Sequence, residues 1–224
     1  MRALFSAVVR PPYVRARDAA RTALFDRRYG VDTEGVVSPA DAGISEPDSM
    51  EYRPAGLLAL RRILPPRLVG PDDVFVDLGS GKGRVVLQAA MGYPFRAVYG
   101  VELSAALHTV AERNVATLRD RFRGSEVRLV HGDARTAELP DTVTVAHLYN
   151  PFRGAVFEAV AHRLLASVDR NPRRLLIAYG NPVEEAALLA TGRVRQVRAV
   201  RGWRPGREWS SSNSYRLYEV TPAS

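Results

Sequence analysis

The chain has 224 residues, 46% of them hydrophobic, with a net charge of +8 and a sequence pI near 10.3. That length supports one sizeable core rather than two full domains. The lack of cysteine excludes disulfides, thiolate metal sites and iron–sulfur chemistry, and no apolar run reaches the roughly eighteen residues of a membrane span.

The positive charge is nearly all arginine and is spread along the chain, with Lys82 as the only lysine. Clusters at Arg121/Arg123, at Arg173/Arg174 and from Arg193 to Arg207 admit nucleic acid as a partner without favouring it. The opening MRALFSAVVRPP has too short an apolar stretch for an export signal. With no cysteine, this predicts a cytoplasmic protein that does not engage a membrane.

In chain order, YVRARDAARTALFDRRYG has helical spacing, with Ala20, Leu24 and Phe25 towards one face. The stretch from Val31 to Pro54 has no periodicity and many turn formers, which predicts a loop. AGLLALRRIL predicts a second helix, stopped by Pro65 and Pro66. Residues 1–71 are therefore expected to form a helical flank or lid over a main domain of residues 72–224.

From Asp72 onward, short β-rich runs alternate with helical patterns. Strands are expected at Val74–Leu78, Arg96–Val101, Val127–His131, Val143–Tyr149 and Leu175–Tyr179. Helices are expected at Arg84–Met91, Ser104–Arg119 (with Ser104 as N-cap), Ala155–Val168 and Val183–Ala190. This alternation argues for an α/β fold with a parallel sheet and helices on both faces. RVRQVRAVRGW and NSYRLYEV then alternate apolar and polar residues around a turn-rich loop, which predicts an antiparallel pair at the sheet edge. Trp203 and Trp209 flank that loop and are candidates to wall a pocket or to pack the hairpin.

The informative stretch is VFVDLGSGKGR. Asp77 closes a strand, and Gly79, Ser80, Gly81, Lys82 and Gly83 lead into a helix. Glycine lets a ligand approach the main chain, and a helix start offers unpaired N–H groups. A phosphate-binding P-loop needs G-x-x-x-x-G-K-[ST], which fails here because no Ser or Thr follows the lysine. A dinucleotide fingerprint needs a small residue where Arg84 stands. What remains is G-x-G-x-G preceded by an acid. The next strand ends YGVELS, placing Glu102 where a carboxylate can take both hydroxyls of a ribose. The third ends LVHGDA, placing Asp133 beside the same crevice, either for an adenine amine or as a turn residue.

VDLGSGKGR, YGVELS and HGDA together resemble the first three motifs of class I S-adenosylmethionine-dependent methyltransferases. The resemblance covers about Asp72 to Tyr218. It implies a Rossmann-like fold, with a seven-stranded, mostly parallel sheet and an antiparallel C-terminal edge hairpin. It also implies that Asp77, Gly79, Ser80, Gly81 and Gly83 hold the methionine part of the cofactor, Glu102 the ribose and Asp133 the adenine. FVDLGSGKGRVVLQAA with YGVELS is similar to the non-SET lysine methyltransferases, including the histone enzymes, and MEYRPAG places Tyr52 and Pro54 like a segment those enzymes lay over the cofactor.

The fourth strand ends HLYNPFRG. Asn150, Pro151 and Phe152 face the crevice and are similar to the Asn-Pro-Pro-Tyr/Phe motif of amino-group methyltransferases, with one proline missing. That likeness gives Asn150 the task of accepting a hydrogen bond from a substrate nitrogen, and Phe152 that of packing against the substrate. A simple strand-to-helix turn would use the same residues, and YGNP at Tyr179–Pro182 repeats the pattern. None of His108, His131, His147 and His162 forms a ligand-spaced pair, so no metal is expected and catalysis is expected to work by alignment. The expected acceptor is a nitrogen of a protein, a peptide or a small metabolite. O- or C-methylation of a small molecule, RNA methylation and a non-catalytic cofactor-binding module remain as alternatives.

Overall fold

The computed structural model describes residues 22–201 and 214–221, together with Ala16, Ala19 and Ala20. The loop carrying Trp203 and Trp209 lies outside the described residues. Seven strands form one sheet: β1 (Val74–Leu78), β2 (Ala97–Glu102), β3 (Glu126–His131), β4 (Val145–Tyr149), β5 (Leu176–Gly180), β6 (Val194–Val200) and β7 (Tyr215–Val220). Their order is β3-β2-β1-β4-β5-β7-β6. Strands β1 to β5 run parallel, and β7 pairs antiparallel with both β5 and β6. The expected Rossmann-like sheet with its antiparallel edge pair is the observed one.

The central strands are continuous apolar runs because both faces are covered. Every residue of β1 and β5 is buried. Helices α2 (Arg84–Gly92) and α3 (Ala105–Leu118) cover one face, where Val85, Val86, Leu87, Val115 and Leu118 meet Phe75, Val98 and Val145. Helices α4 (Gly154–Arg170) and α5 (Glu185–Ala190) cover the other, where Val156, Val160, Leu164 and Leu188 meet Val76, Leu78 and Ile177. Ser104 caps α3 as expected, its Oγ accepting from the Leu107 amide at 3.3 Å. Gly100, in mid-β2, lets α2 sit close: a Cβ there would lie 2.8 Å from Val86 and 2.9 Å from Leu129. No helix among the described residues is long and apolar enough to cross a membrane.

The N-terminal flank packs into this sheet. The short helix α1 (Ala59–Ile63) buries Leu60 and Ile63 on the α2 face. Upstream, Thr22–Arg27 forms one wide π-helical turn. Its buried face differs from the expected one. Phe25 is buried, whereas Leu24 is 62% exposed. The wider turn changes the α-helical spacing on which that expectation rested. Phe25 packs edge-on to Tyr29 and lies under the Arg84 guanidinium.

Arg84 fastens the flank. Its side chain is 2% exposed. Nε donates to Thr33 Oγ1 at 2.7 Å, and Nη1 donates to the Ala55 carbonyl at 3.2 Å. Glu34 lies 2.7 Å away and Asp26 3.5 Å away. Asp26 in turn accepts from the Thr33 amide, the Thr33 hydroxyl and the Glu34 amide. Lys82 adds bonds to Asp32 and to the Glu34 carbonyl, and Asn114 of α3 ties Asp32 to Lys82. A buried cation with this many acceptors is compensated, and removing it leaves Asp26 and Glu34 desolvated without their partner. Arg84→Met is therefore expected to lower unfolding free energy by about 3 to 5 kcal/mol. Urea denaturation measures the loss, and an effect under about 1 kcal/mol, the scale of an exposed ion pair, contradicts the fastening.

Candidate functional site

Residues 31–54 run as an irregular strap across the carboxyl ends of successive strands. Tyr52 bridges to Val37 and donates its hydroxyl to the Thr33 carbonyl at 2.7 Å. Ser104, after β2, donates to the Ala42 carbonyl. Arg135, after β3, pairs with Glu46. After β4, Ser49 bridges to Phe152, Met50 donates its amide to the Pro151 carbonyl and Arg153 donates to the Asp48 carbonyl. The strap and the strand ends enclose one pocket. Its walls include Tyr52, Asp77, Gly79, Ser80, Glu102, Asp133, Asn150, Pro151 and Phe152.

Those residues are the ones expected from the motifs, with two differences. Gly81 and Gly83 do not line the pocket. A Cβ on Gly81 would lie 2.2 Å from the Tyr52 ring, so that ring occupies the space expected for a ligand. Gly83 packs against Ala111 of α3. Gly79 is similar to Gly81, with Pro151 2.2 Å from where its Cβ would stand. All three glycines have positive φ, which a side chain rarely adopts. The bare loop thus admits the protein's own Tyr52 and Pro151 first.

The loop's amides are also committed. Gly79 and Ser80 donate to the Val101 carbonyl, Gly81 to Glu102 and Gly83 to the Ser80 carbonyl. Asp77, Glu102, Asp133 and Glu46 line the pocket as acceptors, and the arginines that share the wall, Arg53, Arg84 and Arg135, are each paired with a carboxylate. These acceptors suit a ligand with hydroxyls and a cationic group, rather than the anion a helix start would favour.

Glu102 is 6% exposed, and its two oxygens accept the Gly81 and Ser104 amides at 2.7 and 2.9 Å. Burial pushes its carboxyl above the usual glutamate range; those amide bonds pull it partly back, and neighbouring Asp77 pushes it up again. Each oxygen keeps a lone pair for a further donor. Asp133 is held below its usual range, chiefly by the hydrogen bond from Arg135. Asp77, 3% exposed, meets the fully buried His147 of β4, with Oδ1 2.7 Å from Nδ1. Burial also raises the Tyr52 phenol, so it stays protonated and donating.

Asn150 sits at φ 48° directly before Pro151. Asparagine tolerates this left-handed conformation better than most residues. Asn181, before Pro182, repeats it at φ 48°, so both Asn-Pro pairs are turns. They differ in burial. The Asn150 Oδ1 is enclosed and has no hydrogen-bond partner among the described residues, as are Ser80 Oγ and His147 Nε2. All three residues line the same pocket. Partnerless buried polar atoms are uncommon, and their gathering in one place marks a polar ligand's seat. Phe152 is buried in the core cluster that includes Val156 and Phe157 while touching the pocket. No group of three or more His, Asp or Glu that could hold a metal occurs among the described residues.

Reading by motif missed Arg84, Arg135 and His147. In the sequence His147 stands out only as a possible metal ligand; its register opposite Asp77 across β1 and β4 is the signal that finds it.

Residues 59–135 match the family model described as histone methylation protein DOT1. A histone-lysine N-methyltransferase, H3 lysine-79 specific, of Drosophila melanogaster is 30% identical over 135 residues, covering 58% of this chain and 7% of that protein. The chain thus spans about 7% of the length of this curated relative. Among solved structures, precorrin 8W decarboxylase of Methanobacterium thermoautotrophicum has a TM-score of 0.53 and 23% identity, covering 80% of this chain and 97% of that one. A dimethyladenosine transferase of Plasmodium falciparum has a TM-score of 0.51 and 13% identity, covering 75% of this chain and 62% of that one. These two likenesses concern the fold. The resemblance to class I S-adenosylmethionine-dependent methyltransferases, and within them to the histone-lysine type, holds.

Seating Tyr52 on Gly81 couples the strap to the loop. Gly81→Ala is expected to cost about 1 to 3 kcal/mol, the usual scale of overpacking. In a Tyr52→Ala background that cost is expected to shrink, as a double-mutant cycle by chemical denaturation reads directly. Strict additivity contradicts the contact.

Proposed function

We propose that the chain transfers a methyl group from S-adenosylmethionine to a nitrogen acceptor, with a lysine side chain of a protein or peptide as the leading acceptor and a small amine metabolite as the other. The family model and the name of the fly relative support the protein acceptor. The cysteine-free composition suits a cytoplasmic setting. Residues 1–71 act as the flank and lid, and residues 72–224 as the cofactor-binding domain.

The pocket suits that cofactor. Asp77 and the wall at Gly79 and Ser80 hold the methionine end, Glu102 accepts the ribose hydroxyls, Asp133 faces the adenine amine and Tyr52 covers the seat. S-adenosylmethionine supplies an activated methyl group on a positively charged sulfur. The protein's task is to align and desolvate the acceptor, since the leaving group is already good. Acidic walls attract a cationic cofactor, and the strap keeps water out.

One observation carries the nitrogen reading: the buried, partnerless Asn150 Oδ1 on a left-handed turn at the end of β4. An amide oxygen there accepts an N–H and turns the nitrogen lone pair towards the donor carbon. A turn role and an acceptor role separate cleanly in Asn150→Gly, because glycine keeps the backbone conformation and loses only the side chain. Turnover of poly-L-lysine or of primary amines, read by radiolabelled methyl transfer, is expected to fall about 100-fold, the scale of losing one oriented hydrogen-bonding group. Affinity for S-adenosylhomocysteine is expected to hold. Retained turnover contradicts the acceptor role.

Glu102 gives a pH test. As pH falls through its raised value, the carboxyl gains a proton and loses an acceptor for ribose. Affinity for S-adenosylhomocysteine is therefore expected to drop with acid, in a window above the ordinary 4.5. Calorimetry across that range measures it, and affinity flat down to that ordinary value contradicts the ribose assignment.

A further inference from the structure

His147 is the most enclosed ionisable side chain on the pocket wall, with 0% exposure. It is held on three sides. Asp77 takes Nδ1 at 2.7 Å, Phe75 stacks at 6.3 Å between centroids and Tyr215 stacks at 6.0 Å. An ionised Asp77 can only accept, so Nδ1 carries the hydrogen and a neutral ring keeps a lone pair on Nε2. With Nδ1 turned to β1, Nε2 faces away from Asp77. It has no partner among the described residues. Asn150, three residues on, presents the other partnerless acceptor of β4's end. The charged and titratable groups around the ring are Asp77 on β1, Tyr149 on β4 and Tyr215 on β7, with Arg84 of α2 and Glu102 of β2 on the same pocket wall.

We propose that His147, oriented by Asp77, is the base that removes the proton from an ammonium acceptor before methyl transfer. This rests on the methyltransferase reading above. A lysine-type amine is protonated at neutral pH, with an ordinary value near 10.4, and has no lone pair to attack with. Nε2 takes one proton from R–NH3+, leaving R–NH2 and an imidazolium stabilised by the Asp77 carboxylate. The freed nitrogen pair then bonds to the methyl carbon while the carbon–sulfur pair stays with sulfur. The imidazolium gives its proton to water that enters the pocket once the methylated product leaves. Asp77 is the positioning residue, since it fixes which ring nitrogen is bare.

The full chain, labelled with ring-15N histidine and saturated with S-adenosylhomocysteine, is titrated with n-butylamine as a probe of the lysine side-chain end. The expected spectrum has hydrogen on His147 Nδ1, a bare Nε2, and an Nε2 resonance that moves as amine is added. Hydrogen resident on Nε2, or a resonance the amine leaves unmoved, overturns the inference. His147→Asn supplies a second measurement, because its amide still donates to Asp77 while the base is gone. Its rate on poly-L-lysine at neutral pH is expected to fall about 100-fold. The deficit is expected to shrink as pH approaches the amine's own value, where the acceptor is already neutral, with S-adenosylhomocysteine affinity unchanged throughout. A deficit equal at every pH marks a structural role and overturns the inference. If S-adenosylhomocysteine fails to bind the wild-type chain, the methyltransferase reading falls first, and that result is visible before any amine is added.

Discussion

The buried guanidinium of Arg84 is the constraint on which the site depends. It sits at the first position of the helix after the glycine loop, and it gathers Asp26, Thr33, Glu34 and the Ala55 carbonyl from the flank. One end of the strap is thereby fixed to the helix that the glycine loop leads into. Without that anchor, residues 31–54 would be a structureless loop of a length that compact domains rarely leave unfastened. With it, the strap is held to cross β1 to β4 in turn and close one pocket over their ends. A buried ion pair adds little net stability compared with an apolar contact, but it fixes one geometry.

The glycine loop acquires a second meaning from this arrangement. Alternate glycines allow both a left-handed backbone and contact by other atoms, and the atoms in contact at Gly79 and Gly81 are Pro151 and Tyr52. Pro151 comes from the turn that presents Asn150, and Tyr52 comes from the strap. The loop is therefore the junction where the end of β1, the Asn150-Pro151 turn and the strap meet. With its amides turned inward to Val101 and Glu102, it shows a ligand its shape and its acidic neighbours. A helix start of the kind that attracts an anion thus has its loop amides already spent on the protein's own acceptors.

Much of the fold was legible in the sequence because its signals are local. The runs at Val74–Leu78 and Leu176–Gly180 are wholly apolar save Asp77 and Gly180, as strands covered on both faces must be. Glu102 could be placed from one spacing, because the acid and the glycine loop belong to adjacent strand ends. Arg84 could not. Its partners Thr33 and Asp26 lie 51 and 58 residues away, where no local pattern points to them, and the sequence offered it only as the residue that spoils a dinucleotide motif. The Asp77–His147 pair was hidden for a related reason: 70 residues separate the two, and only the sheet order β2-β1-β4 makes them neighbours. Leu24 misled, since a single π-helical turn displaced an α-helical spacing.

The central claim about this molecule is the identity of the ligand in this pocket. Calorimetric titration of S-adenosylhomocysteine into folded wild-type chain, repeated with Glu102→Ala, tests it most directly. One molecule per chain is predicted for the wild type, with at least a tenfold weaker association for the variant, the loss expected for two hydroxyl contacts to a buried carboxylate at about 1 kcal/mol or more each. No association in folded wild-type protein, or equal association in both, would show that the acid at the tip of β2 is not a sugar's partner.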